Sequence, residues 1–309
     1  MPKTCILICT YNRPELLRRL LTALVPQARK HGCMTVIVDN GTRSSEAVAS
    51  SFHQEMEIIY ERLSEPGLVS ARNRAMRLAL ASHPEFLACI DDDEVPEADW
   101  LANLLQRIEE TGAGFATGPV VPEFAVAPPR WATDGAYFFA EGDSFRTSNL
   151  ILRAAILPKD ESQWFHPAFN YSGGEDSEFL GRLAANGAVH VVAENAVVRE
   201  SVPASRLKRR YIWRRGLRDG VAIAQILALR SKSRTGFAAR IMGRAGAKFG
   251  YAANHLFWSP LSPWQFHRAM ADLAAATGIL LRAVGVKFAF YGRPGQHANY
   301  RAAPDNEMR

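Results

Sequence analysis

Asp91-Asp92-Asp93-Glu94 sets four carboxylates in a row directly behind the uncharged run Phe86–Ile90. Adjacent carboxylates repel, so such a cluster is costly unless a cation sits among it. A hard divalent ion, Mg²⁺ or Mn²⁺, shared with phosphate oxygens is the group these donors suit. A solvated acidic turn is the plainer reading of the same residues. A second acid pair, Glu175-Asp176, follows Gly173-Gly174 and opens a helical pattern. A carboxylate held there has the chemistry of a general base for an attacking hydroxyl. The alternative is a pair of acids that caps and charges the first turn of a helix.

The elements that must position these acids are legible along the first third of the chain. Lys3–Cys9 and Met34–Val38 read as buried strands, and Ile58–Tyr60 as a short one. Phe86–Ile90 is the strand that ends in the acids. Between them Leu16, Leu17, Leu20, Leu21 and Leu24 mark one face of a helix that Asn12 is expected to cap and Pro14 to begin. Glu46–Gln54, the stretch after Gly67 and the stretch around Trp100–Ile108 complete a β-α-β-α alternation with short connections. The pattern predicts an α/β fold with a mostly parallel sheet flanked by helices. Ligands of such sheets bind beyond the carboxyl ends of the strands, where Thr10, Asp39 and Asp91–Asp93 fall.

After Pro119 the alternation stops. Residues 119–146 read as mixed strand and loop, Thr147–Leu152, Val189–Val192 and Ala196–Val198 as strands, and the stretch after Gly173-Gly174 as a helix stopped at Asn186-Gly187. From Ser205 the pattern is helical, basic and apolar together, interrupted at Pro260 and Pro263. The expected division is an α/β domain over 1–204, a basic and apolar helical extension over 205–291 and a flexible tail over 292–309.

Composition is that of a globular protein: 48% hydrophobic, 22% charged, net charge +6. The basic surplus points to anionic partners such as nucleotide phosphates or lipid headgroups. The four cysteines, Cys5, Cys9, Cys33 and Cys89, include no C-x-x-C pair and read as reduced core residues. Neither a signal peptide nor a membrane-spanning helix is expected, and a cytoplasmic location is.

The motifs resemble the inverting glycosyltransferases of family 2. The pieces that carry the likeness are Cys9–Arg13, Val38–Gly41, Gly67–Asn73, Asp91–Asp93 and Gly173–Asp176, in the family's order over residues 3–200. The Gly-Gly-Glu-Asp form and the basic helix after it look most like bacterial exopolysaccharide glucosyltransferases of the succinoglycan type. The resemblance implies the GT-A nucleotide-sugar fold and transfer of a sugar, glucose by this likeness, from a UDP-sugar to a glycan or lipid-linked acceptor. It puts Thr10, Tyr11 and Arg13 beside the base and diphosphate, Asp39 on the uracil edge and Arg72 near the base or phosphates. Asp91 then holds the ribose or donor sugar, Asp93 the metal, and Asp176 is the base. Asp39 also reads as an ordinary turn acid, and Arg72 as a surface arginine.

Four further residues are weaker candidates for the substrate: Asn149, Glu175, Trp164 and Arg214. Asn149 lines the donor pocket or is a structural turn amide. Trp164, with Phe165 and His166, stacks an acceptor ring or packs in the core. Many relatives hold the metal with a histidine where this chain has Arg199-Glu200-Ser201, so either Glu200 substitutes or water does. Arg206, Arg209, Arg210, Arg214, Arg215 and Arg218 form a solvated helix face, a diphosphate clamp or a membrane-surface helix. Peripheral contact with the inner membrane, at its cytoplasmic face, is expected.

Rival classes fit less well. A nucleic-acid module has only the charge in its favour, and the acids would repel phosphate without metal. A nucleotidyltransferase wants a glycine-rich loop after the first strand, and Thr10-Tyr11-Asn12-Arg13-Pro14 offers none. A non-catalytic sugar-nucleotide binder is opposed by the presence of both Asp93 and Asp176.

Overall fold

The computed structural model describes residues 3–64 and 67–291; the expected tail over 292–309 lies outside them. The chain divides into two compact units. The first comprises Met1–Glu123, Phe139–Pro167 and Glu175–Ser201, and the second Phe124–Phe138, Ala168–Gly174 and Val202–Arg309. Two segments of the stretch read as one nucleotide-sugar domain therefore cluster with the helical end of the chain.

In the first unit, β1 (Thr4–Thr10), β2 (Met34–Asp39), β3 (Glu57–Arg62) and β4 (Phe86–Cys89) alternate with α1 (Pro14–His31), α2 (Glu46–Ser50) and α3 (Leu68–Leu80). They are followed by β5 (Glu94–Pro96), α4 (Trp100–Thr111), β6 (Phe115–Thr117) and β7 (Val120–Phe124). β8 (Leu150–Arg153), α6 (Glu175–Ala185), β9 (His190–Val192) and β10 (Val198–Val202) complete it, while α5 (Arg130–Asp134) belongs to the second unit. The main sheet runs β3-β2-β1-β4-β8-β6-β9. Its first four strands are parallel, β8 is antiparallel to both neighbours, and β9 is parallel to β6. Burial on both faces makes β1 and β2 almost wholly apolar, as parallel strands between helices must be. Leu17, Leu20, Leu21 and Leu24 of α1 pack there beside Ile6, Ile8, Ile37 and Trp100.

A small second sheet, β5-β10-β7, stands beside the acids. Its strands hold Pro96, Pro122, Arg199 and Glu200, which hide the apolar alternation by which a strand is recognised. Other bounds moved by a few residues: the expected strand at 196–198 is β10, and the one at 147–152 is β8. Asn12 does not cap α1. Arg13 stands at the cap position, and Asn12, at φ +57°, accepts the Arg43 N–H at 2.8 Å and so ties two loops together.

The second unit is built on α7 (Arg209–Arg230), α8 (Arg234–Trp258) and α9 (Pro263–Ala283). Glycines let α7 and α9 touch backbone to backbone. A Cβ on Gly220 would lie 2.0 Å from the Ala275 carbonyl oxygen, and one on Gly278 2.3 Å from that of Leu217. Tyr137, Phe138, Trp131 and Tyr211 form a separate aromatic cluster. Arginines sit on its rings: Arg215 is 5.3 Å from the Tyr137 centroid, and Arg206 5.9 Å from that of Tyr211. Part of the expected basic face is thus spent on cation–π contacts.

Candidate active site

The site grows from the end of β4. The chain leaves the sheet after Cys89, passes Ile90 to Asp93, and re-enters structure at β5, which pairs with β10 so that Glu94 faces Glu200. The Ser201 N–H donates to the Asp93 carbonyl at 2.8 Å, pinning the acidic turn to the small sheet.

Asp92 is buried in the turn. Its carboxylate accepts the Thr10 hydroxyl at 2.9 Å, the Tyr11 N–H at 3.4 Å and Arg13 Nη1 at 2.8 Å. Arg13 also reaches Asp93 at 3.2 Å. The three residues assigned to the nucleotide by resemblance are thus gathered at the acids, with Thr10 and Arg13 holding Asp92. Asp93 is buried too, which puts both behind the surface of the turn.

Charge repulsion in this cluster is pronounced. Enclosure within the acidic turn, together with the charges of Asp93, Asp92 and Glu200, pushes the Asp91 carboxyl up to about 7 against the pull of Arg72. Burial, then Asp91, Asp93 and Glu200, raises Glu94 well above the usual carboxylate range. Burial also raises Asp92, with Arg13 opposing it. The resemblance gives Glu94 no role and offers Glu200 only as a substitute for a metal histidine. Both belong to the cluster, and the clue was that each flanks a motif already singled out.

Arg72, on α3, joins this cluster to the second acid pair. It forms a buried ion pair with Glu175 and lies 3.7 Å from Asp91. It also rests 5.8 Å from the Phe165 ring. Burial alone would lower the Arg72 pKa, but Glu175, Asp91 and Asp176 together hold it above its ordinary value. Asp176 is half-buried in the first turn of α6, where its Oδ1 accepts the Ser177 N–H at 2.7 Å. The preceding Gly173 and Gly174 have φ of +76° and +93°, a region costly for other residues. A Cβ on Gly174 would meet that of Ala222 at 2.4 Å, so this glycine serves close backbone packing. A cavity of about 30 Å³, room for one water, lies below Arg72 and Asp91. Cys9, Cys89 and Thr147 line it, and burial pushes both thiols up to about 12.

Three expected residues are engaged elsewhere. Asp39 is fully buried and accepts the Gly41 N–H, the Ser45 N–H and the Tyr60 hydroxyl at 2.8, 2.7 and 2.9 Å, which orders the loop after β2. Asn149 is fully buried. Its oxygen accepts Trp100 Nε1 at 2.7 Å and its amide donates to the Pro119 and Ala196 carbonyls at 2.9 and 2.6 Å, which makes it the structural turn amide. Trp164 is not free to stack a sugar: it is buried, with Nε1 donating to the Pro158 carbonyl at 2.9 Å. Arg214 lies on α7 in the second unit, half-exposed.

Among the described residues no three His, Cys, Asp or Glu side chains converge closely enough to hold a metal alone. The donor set still fits a hard divalent ion. Its ligands are carboxylates only, they raise one another's pKa values, and Mg²⁺ is ordinarily held by one or two carboxylates with water and phosphate completing its shell.

Comparison with known proteins agrees with this architecture. The family model Glycosyl transferase family 2 matches residues 5–159. The chain is 31% identical to the succinoglycan biosynthesis protein ExoM of Rhizobium meliloti (strain 1021), over 80% of this chain and 81% of that protein. It is 24% identical to a chondroitin synthase of Pasteurella multocida (strain Pm70) over 64% of this chain, but only 24% of that longer protein. The crystal structure of S. aureus TarS 1–349 in complex with UDP-GlcNAc superposes with a TM-score of 0.52 at 17% identity, covering 93% of each chain, a likeness of fold. The GT-A architecture, the run of family motifs from Cys9 to Asp176 and the extent of the match to ExoM lead to one conclusion: this chain belongs to glycosyl transferase family 2 and is a glycosyltransferase.

Proposed function

We propose that the chain is a metal-dependent inverting transferase that moves glucose from UDP-glucose to a glycan or lipid-linked oligosaccharide. It acts in exopolysaccharide or cell-surface polysaccharide synthesis, at the cytoplasmic face of the inner membrane. The observation that carries this reading is the Arg72 bridge, which links the acids after β4 to the acids that open α6. One end of that span suits a diphosphate and the other a nucleophile. The naming of ExoM for succinoglycan biosynthesis supports the polysaccharide role, and UDP-GlcNAc bound to TarS supports a UDP-sugar donor.

In this reading Asp93 would hold the divalent ion, with Glu200 or water taking the place of the histidine that many relatives use. The ion supplies positive charge to the departing diphosphate. Arg13 and Tyr11 contribute at the phosphates and base, and Arg72 keeps Asp91 oriented toward the ribose or donor sugar. Asp176, in the first turn of α6, accepts the proton of the attacking hydroxyl as a general base. Glu175 supports it by fixing that turn to α3 through Arg72. Asp39 shapes the loop beneath the base through its three donors.

A panel of nucleotide sugars screened by thermal shift with Mn²⁺ tests the donor. UDP-glucose is expected to raise the melting temperature by mass action, and EDTA to abolish transfer. A chain stabilised by no nucleotide sugar, or transferring equally well in EDTA, would overturn the reading.

A further inference from the structure

α9 ends at Ala283, and Gly285, at φ +91°, closes it. The Gly285 N–H donates to the Arg282 carbonyl at 3.1 Å, and the Val286 N–H to that of Leu281 at 3.0 Å. Glycine takes this left-handed turn without strain and lets the chain change direction. From there it runs without helix or strand to Tyr291. Within the second unit this strap returns to the Ala168–Gly174 segment. The Phe290 and Tyr291 N–H groups both donate to the Tyr171 carbonyl, at 2.8 and 3.1 Å. The Tyr291 hydroxyl accepts Arg218 Nη1 of α7 at 3.3 Å. Its ring lies against Gly173, where a Cβ would sit 3.0 Å from Cε2 of Tyr291.

Glu175 and Asp176 follow that segment directly in the chain. Gly173 and Gly174 have no side chains to pin them, and glycine loses more freedom on ordering than any other residue. The position of their turn is therefore set from outside. α7 holds the segment at both ends: Gln225, itself buried, donates from Nε2 to the Ala168 carbonyl, and Ala222 stands against Gly174. The strap covers what α7 leaves, the Tyr171 carbonyl and Gly173. From this arrangement we propose that Tyr291 is a positioning residue for transfer. With Arg218 it clamps the Gly173-Gly174 turn, and the peptide chain carries that constraint two residues on, to Asp176. A reacting group displaced by a fraction of its contact distance loses much of its rate, so a slack turn is costly to the chemistry. The inference rests on the reading of Asp176 as the base, but the clamp itself is measurable without any activity.

Amide hydrogen exchange over residues 168–176 of the full chain, measured beside transfer kinetics and UDP binding, provides the test. Tyr291→Ala should speed exchange in this segment about tenfold and lower kcat by about tenfold or more. UDP affinity with Mn²⁺ is expected to stay at the wild-type value, a split that a general loss of structure would not produce. Tyr291→Phe keeps the ring on Gly173 and should return kcat to within about threefold of wild type. Arg218→Met should match Tyr291→Phe, and the two together should be no worse than either, because each removes the same bond. These two milder variants carry the test if Tyr291→Ala fails to fold. Wild-type exchange or wild-type kcat in Tyr291→Ala overturns the inference, as do additive losses in the Tyr291→Phe, Arg218→Met pair. A loss of UDP affinity as large as the loss of kcat overturns it too. If Asp176→Asn transferred like wild type while Tyr291→Ala still loosened the turn and slowed transfer, the base assignment would fall and the clamp would stand.

Discussion

Arg72 and Glu175 form a buried ion pair between α3 and the first turn of α6, with 13% and 3% of their side chains exposed. The pair fixes the distance from the β4 acids to the Asp176 turn, because Arg72 also faces Asp91. Removing one partner strands a buried charge on the other.

Arg72→Met should therefore cost about 3–5 kcal/mol of folding stability, and Glu175→Leu a similar amount. The double variant is expected to recover most of that loss, because it removes both charges together. Chemical denaturation of the four proteins measures the coupling; additive losses would mean that the two side chains do not act as a pair. Transfer should fall in all three variants, the double one included, because the α6 turn loses its tether.

The acid cluster makes a pH prediction with a definite sign. Asp91 and Glu94 titrate above their ordinary values when folded. Between about pH 4 and 7 the folded chain thus retains protons that the unfolded chain has released. Without divalent ions, their contribution to stability is complete at the acid end and is lost as pH rises through this window. Asp91→Asn with Glu94→Gln should flatten the slope relative to wild type, as read from melting temperatures in chelated buffers. A wild-type profile parallel to that of the variant would contradict the account.

Asn149 provides a check on the structural assignment. Three hydrogen bonds end on its amide, two of them fully buried and two of them to main-chain carbonyls. Asn149→Ala should cost about 3 kcal/mol or more, from unsatisfied groups at Trp100, Pro119 and Ala196. KM for the donor should stay within a factor of about two in the folded fraction. A large KM change at unaltered stability would return Asn149 to the donor pocket.

The sequence made the parallel half of the sheet readable because burial on both faces leaves unbroken apolar runs such as Cys5–Ile8 and Val36–Val38. It also made the acids at strand ends readable, since Asp91–Glu94 interrupts such a run abruptly. What stayed hidden depends on distant partners. Nothing near Arg72 announces Glu175, and nothing near Asn149 announces Trp100. The β5-β10-β7 sheet was obscured because its strands are short and carry charge and proline. Trp164 and the arginines of α7 were ambiguous for a further reason. An aromatic or cationic side chain serves a sugar, a ring or a phosphate with the same chemistry, and only its neighbours decide which.

The most direct test of the central claim is Asp176→Asn, assayed for donor binding and for transfer side by side. The substitution keeps the size of the side chain and its acceptor oxygen for Ser177, but removes the basicity. Binding of UDP with Mn²⁺ should remain close to wild type, while kcat falls by about a thousandfold. Transfer at a near wild-type rate would show that the hydroxyl loses its proton elsewhere, and that the acids joined by Arg72 do not form one catalytic site.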